Sequence, residues 1–194
     1  RDKVLILGKS GSGKTTFLKI LSGLIPINEG AIHNGKNKNK EFIRFKESIS
    51  HLSQENFIVD KESIFYNITL KQKKLANQAD MNNFDKVIKI ANLNEFMRKQ
   101  HLKEDTILNE GASNISGGER QRICIARSLF ADNKLIIMDE PFSSIDKQNT
   151  DEIFRQILKD SANKTLIISN HKKIEFKHFD KVIFFGKDKI VKIK

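Results

Sequence analysis

Gly8-Lys9-Ser10-Gly11-Ser12-Gly13-Lys14-Thr15 matches the spacing G-x-x-x-x-G-K-[ST] at every specified position. Glycines at 8, 11 and 13 leave no Cβ in the way, so successive N–H groups can curl around one anion. Lys14 adds a mobile cation suited to β- and γ-phosphates, and the Thr15 hydroxyl is an oxygen ligand of the kind Mg²⁺ takes. The chemistry implied is capture of a nucleoside triphosphate. The expected contacts are Gly8, Ser10, Gly11, Ser12, Gly13, Lys14, Thr15 and Thr16. A second chemical element follows the apolar run Leu135-Ile136-Ile137-Met138, which delivers Asp139 and Glu140 at its end. Open α/β sheets put ligands at the carboxyl ends of their strands. There Asp139 suits Mg²⁺, and Glu140 suits orienting or deprotonating an attacking water.

Those groups need a strand ahead of the glycine-rich loop and a helix behind it. Val4-Leu5-Ile6-Leu7 supplies the strand, and residues 16–24 supply the helix, with Phe17, Ile20, Leu21 and Leu24 on one face. A helix starting near Lys14 turns its positive dipole end on the loop. Beyond it, 23–30 with Pro26 reads as a turn, 31–33 as a short strand, and 34–40 as a polar loop. A further strand at 49–52 ends at Ser53-Gln54-Glu55. The glycine-free span 63–98 reads as helical, with Phe84, Val87, Ile88 and Ala91 on one face of a helix at 81–92.

After glycines between 111 and 118, a helix at 119–130 buries Ile123, Ala126, Leu129 and Phe130, while Arg120 and Arg127 face elsewhere. A helix at 147–158 turns Ile153, Phe154 and Ile157 inward, 165–169 forms a third buried strand, and 181–185 pairs with 190–193 as a hairpin. Strands alternating with helices predict an α/β domain: a mainly parallel sheet covered by helices, with an inserted helical subdomain.

The 194 residues suffice for one large domain with a subdomain. No apolar run approaches the roughly 20 residues that span a bilayer, and no secretory signal is visible. The single cysteine, Cys124, excludes an internal disulfide, suits a reducing compartment and reads as a small buried hydrophobe. The five histidines show no zinc-ligand spacing. A formal charge of +11 is spread along the chain in short runs such as 36–40 and 71–74, which favours a lysine-rich solvated surface over a nucleic-acid face.

Ile115-Ser116-Gly117-Gly118-Glu119-Arg120-Gln121-Arg122 resembles the signature of the ATP-binding cassette (ABC) family, typically LSGGQ followed by a basic helix. The surrounding motifs match in order: the phosphate loop, Gln54 as the Q-loop, the signature, Asp139-Glu140, Ser143-Ser144-Ile145-Asp146 as the D-loop, and His171 as the switch histidine. Ile115, Glu119 and Ser144-Ile145 depart from the usual Leu, Gln and Ala-Leu, and Glu119 adds a negative charge near a phosphate site. Read from the residues alone, Ser116 with Gly117-Gly118 forms a second anion-binding helix start, which requires either two anion sites or a partner subunit.

The resemblance selects the partner: head-to-tail dimers, each ATP held between one phosphate loop and the other copy's Ser116, Gly117 and Gly118, with Asp146 nearby. It also implies ATP and Mg²⁺ as cofactors, with Thr15, Asp139 and Gln54 at the metal and Glu140, His171, Gln54 and Lys14 as the catalytic groups. The implied fold is a P-loop NTPase. A single ABC ATPase domain covers 1–194, with an α/β core at 1–56 and 126–194 and a helical subdomain at 57–125 carrying the signature. The family's N-terminal antiparallel strands and adenine-stacking aromatic lie upstream of the phosphate loop, and only seven residues precede Gly8. Weak ATP affinity is therefore expected for this stretch by itself.

Phe65-Tyr66-Asn67-Ile68 and Asn109-Glu110-Gly111 resemble exporter cassettes, in which stretches corresponding to 57–67 and 106–111 meet coupling helices of membrane domains. The implied function is ATP hydrolysis that powers export, at the cytoplasmic face of a membrane. The implied partners are a second nucleotide-binding domain and transmembrane domains on this or another chain; no specific nucleic acid is expected. Two other classes share the motifs. One is a non-transport cassette ATPase acting on DNA or ribosomes, which the positive charge supports. The other is a regulatory nucleotide-binding domain without turnover, against which Glu140 and His171 stand.

Overall fold

The computed structural model describes residues 1–30, 32, 48–170, 176–186 and 190–192. By Cα proximity the chain divides into two compact units. The first comprises 1–54, 133–141 and 163–194, and the second comprises 55–132 and 142–162.

Among its described residues the first unit is built on a six-stranded sheet of β1 (Lys3–Gly8), β2 (Ile49–Leu52), β3 (Leu135–Asp139), β4 (Thr165–Ser169), β5 (Lys181–Phe185) and β6 (Ile190–Lys192). The order is β2-β3-β4-β1-β5-β6. Every pairing is parallel except β5 with β6, the expected terminal hairpin. All five residues of β3 are buried, as a central parallel strand requires. Ile6, Leu18, Leu135, Ile137 and Phe185 form one core cluster, and Phe17 and Leu21 of α1 (Lys14–Leu21) pack against it.

Helix α1 is shorter than the expected 16–24. Gly23 takes φ 71°, its N–H bonds Ile20 O at 2.9 Å, and the Leu24 N–H returns to Lys19 O at 2.8 Å. That pair of bonds is the Schellman ending, so Leu24 leaves the apolar face and is 61% exposed. The strand expected at 31–33 and the loop at 34–40 lie outside the described residues, apart from Ile32, which belongs to no regular element.

The second unit is helical: α2 (Ile64–Thr69), α3 (Gln78–Ile90), α4 (Leu93–Lys99), α5 (Gly117–Phe130) and α6 (Lys147–Asp160). The expected helix at 81–92 begins earlier because Asn77 and Asp80 form a reciprocal capping box. Phe84, Val87, Ile88 and Ala91 are all buried, and the Phe84 ring lies 4.8 Å from that of Phe65. Ile123, Ala126 and Leu129 of α5 are buried as expected, but Phe130 is only partly so; it is the last helical residue, where Asn83 Nδ2 bonds its carbonyl at 2.5 Å. The expected division at 125/126 falls inside α5, a continuous helix that lies wholly in this unit. Ile153, Phe154 and Ile157 of α6 point inward.

Candidate functional site

β1 ends at Gly8, and the chain curls through 9–13 before α1 begins. A Cβ on Gly8 would stand 2.7 Å from both Phe185 O and Ser12 Oγ, so the tight curl requires glycine there. Gly13 caps α1 in the left-handed region, φ 93°, and offers no side chain to the first helical N–H groups. Those donors are left for a ligand. Ser12 Oγ is likewise buried without a partner. Lys14 is 4% exposed, and its Nζ donates to Gly8 O at 2.8 Å and Lys9 O at 3.0 Å. Open amides, an orphaned hydroxyl and a nearby ammonium are the donor set a phosphate chain satisfies.

An open cleft of about 230 Å³ is lined by Ser10, Gly11, Ser12, Gly13, Lys14, Thr15, Thr16, Gln54 and Glu140. Residues from three separate segments thus meet as the motif order requires. Glu140 follows β3 directly, takes φ 50°, and is largely buried. Its neighbour Asp139 is 1% exposed. Thr15 lines the cleft, while Asp139 adjoins it only through Glu140 and is not among its lining residues; both carry oxygens of the kind a hard divalent cation takes. His171 lies outside the described residues.

In the second unit Ser116 caps α5. Its hydroxyl accepts the Glu119 N–H at 3.3 Å, and Glu119 Oε2 accepts the Ser116 N–H at 2.7 Å. The carboxylate that departs from the usual Gln is therefore engaged in a capping box. A Cβ on Gly118 would stand 2.9 Å from Ser144 O, so the segment 143–146 sits directly on the signature glycines. Gln121, 1% exposed, fastens the two: its Nε2 donates to Ser143 Oγ at 2.9 Å and its Oε1 accepts the Ser144 N–H at 2.7 Å. Asp146 caps α6, accepting the Asn149 N–H at 3.0 Å and Asn149 Nδ2 at 2.6 Å, and these bonds hold its carboxyl below the ordinary range.

A family model described as ABC transporter matches residues 1–143. The chain belongs to the ABC transporter family. Within it, the chain is 36% identical over 187 residues to the ABC transporter ATM1 of Plasmodium falciparum, covering 95% of this chain and 17% of that protein. It is 35% identical to the Lactococcus lactis lacticin-481/lactococcin-DR transport/processing ATP-binding protein lcnDR3, covering 98% and 26%. A third relative, the phosphonates import ATP-binding protein PhnC of Fusobacterium nucleatum, is 33% identical, covering 93% of this chain and 76% of its own length. This cassette thus spans about a quarter or less of the first two relatives. The fold matches a bacterial Atm1-family ABC exporter solved with ATP bound, at TM-score 0.82, 23% identity, and coverage of 96% of this chain and 32% of that one.

Sequence reading missed several polar residues that shape the cassette. Gln121 shares a helix face with Ile125 and Ser128, both buried, so its spacing was the available signal. Asn67, fully buried, accepts the Val59 N–H at 2.8 Å and donates to Val59 O and Ser63 O. Arg127 is not simply turned outward: it donates to Asn67 O and to Phe57 O, and burial lowers the pKa of its guanidinium. Ser169 closes β4 beside Asp139, a placement set by strand register and invisible in the sequence.

Proposed function

We propose that this domain hydrolyses ATP to drive a membrane transporter, with export as the direction. The carrying observation is the single cleft that gathers Lys14, Thr15, Gln54 and Glu140. The loop amides, Ser10, Ser12 and Lys14 bind and orient the triphosphate, and Thr16 borders the same space. Glu140 takes the proton of the attacking water as it approaches the γ-phosphorus in line with the leaving oxygen, and Gln54 orients that water. Thr15, Asp139 and Gln54 would hold Mg²⁺, and that cation would supply positive charge against the charge gathering on the phosphate oxygens. The family resemblance assigns His171 to the γ-phosphate.

The capped start of α5 and the Asp146 turn serve a second copy. Ser116, Gly117 and Gly118 close the ATP of a facing nucleotide-binding domain, and hydrolysis reopens the pair. Transmembrane domains, on this chain or another, receive the motion at the cytoplasmic face of the membrane. The stretches 57–67 and 106–111 support that reading because they run side by side. Lys61 N–H bonds Leu108 O at 2.9 Å, and Leu108 N–H bonds Glu62 O at 2.9 Å. Phe57 and Ile107 stand 67% and 51% exposed on them. An import cassette is the second reading, favoured by the PhnC relative, three quarters of whose length the chain spans.

Glu140→Gln in the full-length protein is expected to keep ATP binding, abolish steady-state phosphate release and accumulate an ATP-bound dimer on gel filtration. Undiminished phosphate release from that variant would sink the proposal. ATP-driven uptake into inside-out vesicles, against efflux from them, separates export from import.

A further inference from the structure

The β3–β4 ladder ends at the pair Asp139↔Ser169. Ser169 is fully buried, and Asp139 is 1% exposed. The Ser169 hydroxyl donates to Asp139 Oδ1 and accepts the Glu140 N–H at 3.0 Å; that N–H also reaches Ser169 O at 3.2 Å. A hydroxyl has one proton to give, so its direction here is fixed: the proton serves the carboxylate and a lone pair serves the amide. Glu140 occupies the left-handed region at φ 50°, which a non-glycine residue keeps only where its surroundings impose it. Two acceptors from one buried residue on its N–H are such an imposition. Ser169 follows the apolar run Leu166-Ile167-Ile168, and burial alone would be met there by another aliphatic side chain. An aliphatic residue would leave Asp139 Oδ1 buried without this donor.

We infer that Ser169 is a positioning residue for hydrolysis: its hydroxyl holds Asp139 by Oδ1, leaving Oδ2 for the cation, and pins the left-handed turn that brings Glu140 to the cleft. The inference rests on the roles proposed above for Asp139 and Glu140. It is tested in the full-length protein with Ser169→Ala and Ser169→Thr, alongside Glu140→Gln. Ser169→Ala is expected to lower kcat about tenfold, with KM for ATP within about twofold at saturating Mg²⁺, as loss of a hydrogen bond to a charged group predicts. Electron paramagnetic resonance titration with Mn²⁺ and a non-hydrolysable ATP analogue, which needs no turnover, is expected to show about tenfold weaker metal binding. Ser169→Thr keeps the hydroxyl and is expected to restore both quantities to within about threefold.

Parental kcat and Mn²⁺ affinity in Ser169→Ala would overturn the inference. So would a natively folded Ser169→Thr as impaired as Ser169→Ala. If threonine does not fold, Ser169→Ala decides alone on the same two readouts. Turnover retained by Glu140→Gln overturns the underlying functional reading; Glu140→Gln inactive beside an unimpaired Ser169→Ala overturns only the role of Ser169.

Discussion

Lys14 already directs its ammonium at two loop carbonyls, Gly8 O and Lys9 O, so the curl of the loop is tied by the same group proposed to meet the phosphates. Lys14→Ala removes both functions, and ATP affinity by isothermal titration is expected to fall at least about a hundredfold. Lys14→Arg keeps the charge but puts a planar fork into a site only 4% exposed, and it is expected to bind ATP nearly as poorly. His51 on β2 offers a second test at this scale. Its Nε2 is buried without a partner. Burial lowers its pKa, with the Asp139 charge opposing and that of Lys19 adding. The folded state thus prefers the neutral ring, while the unfolded chain binds a proton more readily. His51 therefore contributes stability that is present above about pH 6.5 and lost as the pH falls toward its folded value. His51→Phe is expected to flatten the fall in Tm between about pH 7 and 5; an unchanged acid limb would refute it.

Helix starts show what the sequence could and could not reveal. The capping box at Ser116 and Glu119 accepts glutamate or glutamine at its fourth position. Glu119→Gln is expected to alter stability by under about 0.5 kcal/mol, and Ser116→Ala to cost about 1 kcal/mol, both readable by urea unfolding. Asn67→Ala is expected to cost about 2–4 kcal/mol, because it strips fully buried partners from Val59 and Ser63 at once. The apolar runs made β1, β3 and β4 legible, since parallel strands buried on both faces leave a continuous hydrophobic signature. The phosphate loop and signature were legible because their glycines answer to backbone geometry. Leu24 was misjudged because its spacing fits a helix that the Gly23 turn ends earlier. The helix-face spacing of Gln121 marked it as inward-facing but not its partners Ser143 and Ser144, whereas the bond from Arg127 to Asn67 Oδ1 and that from Ser169 to Asp139 join segments far apart in the chain and could not be read.

At the scale of the molecule the central expectation is a composite site. If Lys14 of one copy and Ser116 of the other serve the same ATP, two crippled copies complement each other. Mixing a Lys14→Ala protein with a Ser116→Arg protein restores one intact site per heterodimer. Phosphate release is then expected to exceed that of either homodimer; no gain despite demonstrated mixed pairing would eliminate the head-to-tail arrangement.

The strand order has a further consequence, for biosynthesis. β1 carries the phosphate loop near the N-terminal end of this stretch, yet its sheet neighbours are β4 and β5. Lys3 Nζ bonds Lys164 O, 161 residues downstream, and the Lys3 N–H bonds Asp180, 177 residues downstream. A ribosome therefore releases the ATP-binding loop long before it makes the strands that can flank it. The nascent β1 must wait as an unpaired apolar segment, a natural client for chaperones. Stalled chains ending before Thr165 should remain protease-sensitive at the loop, and protection should appear only once β4 and β5 have emerged.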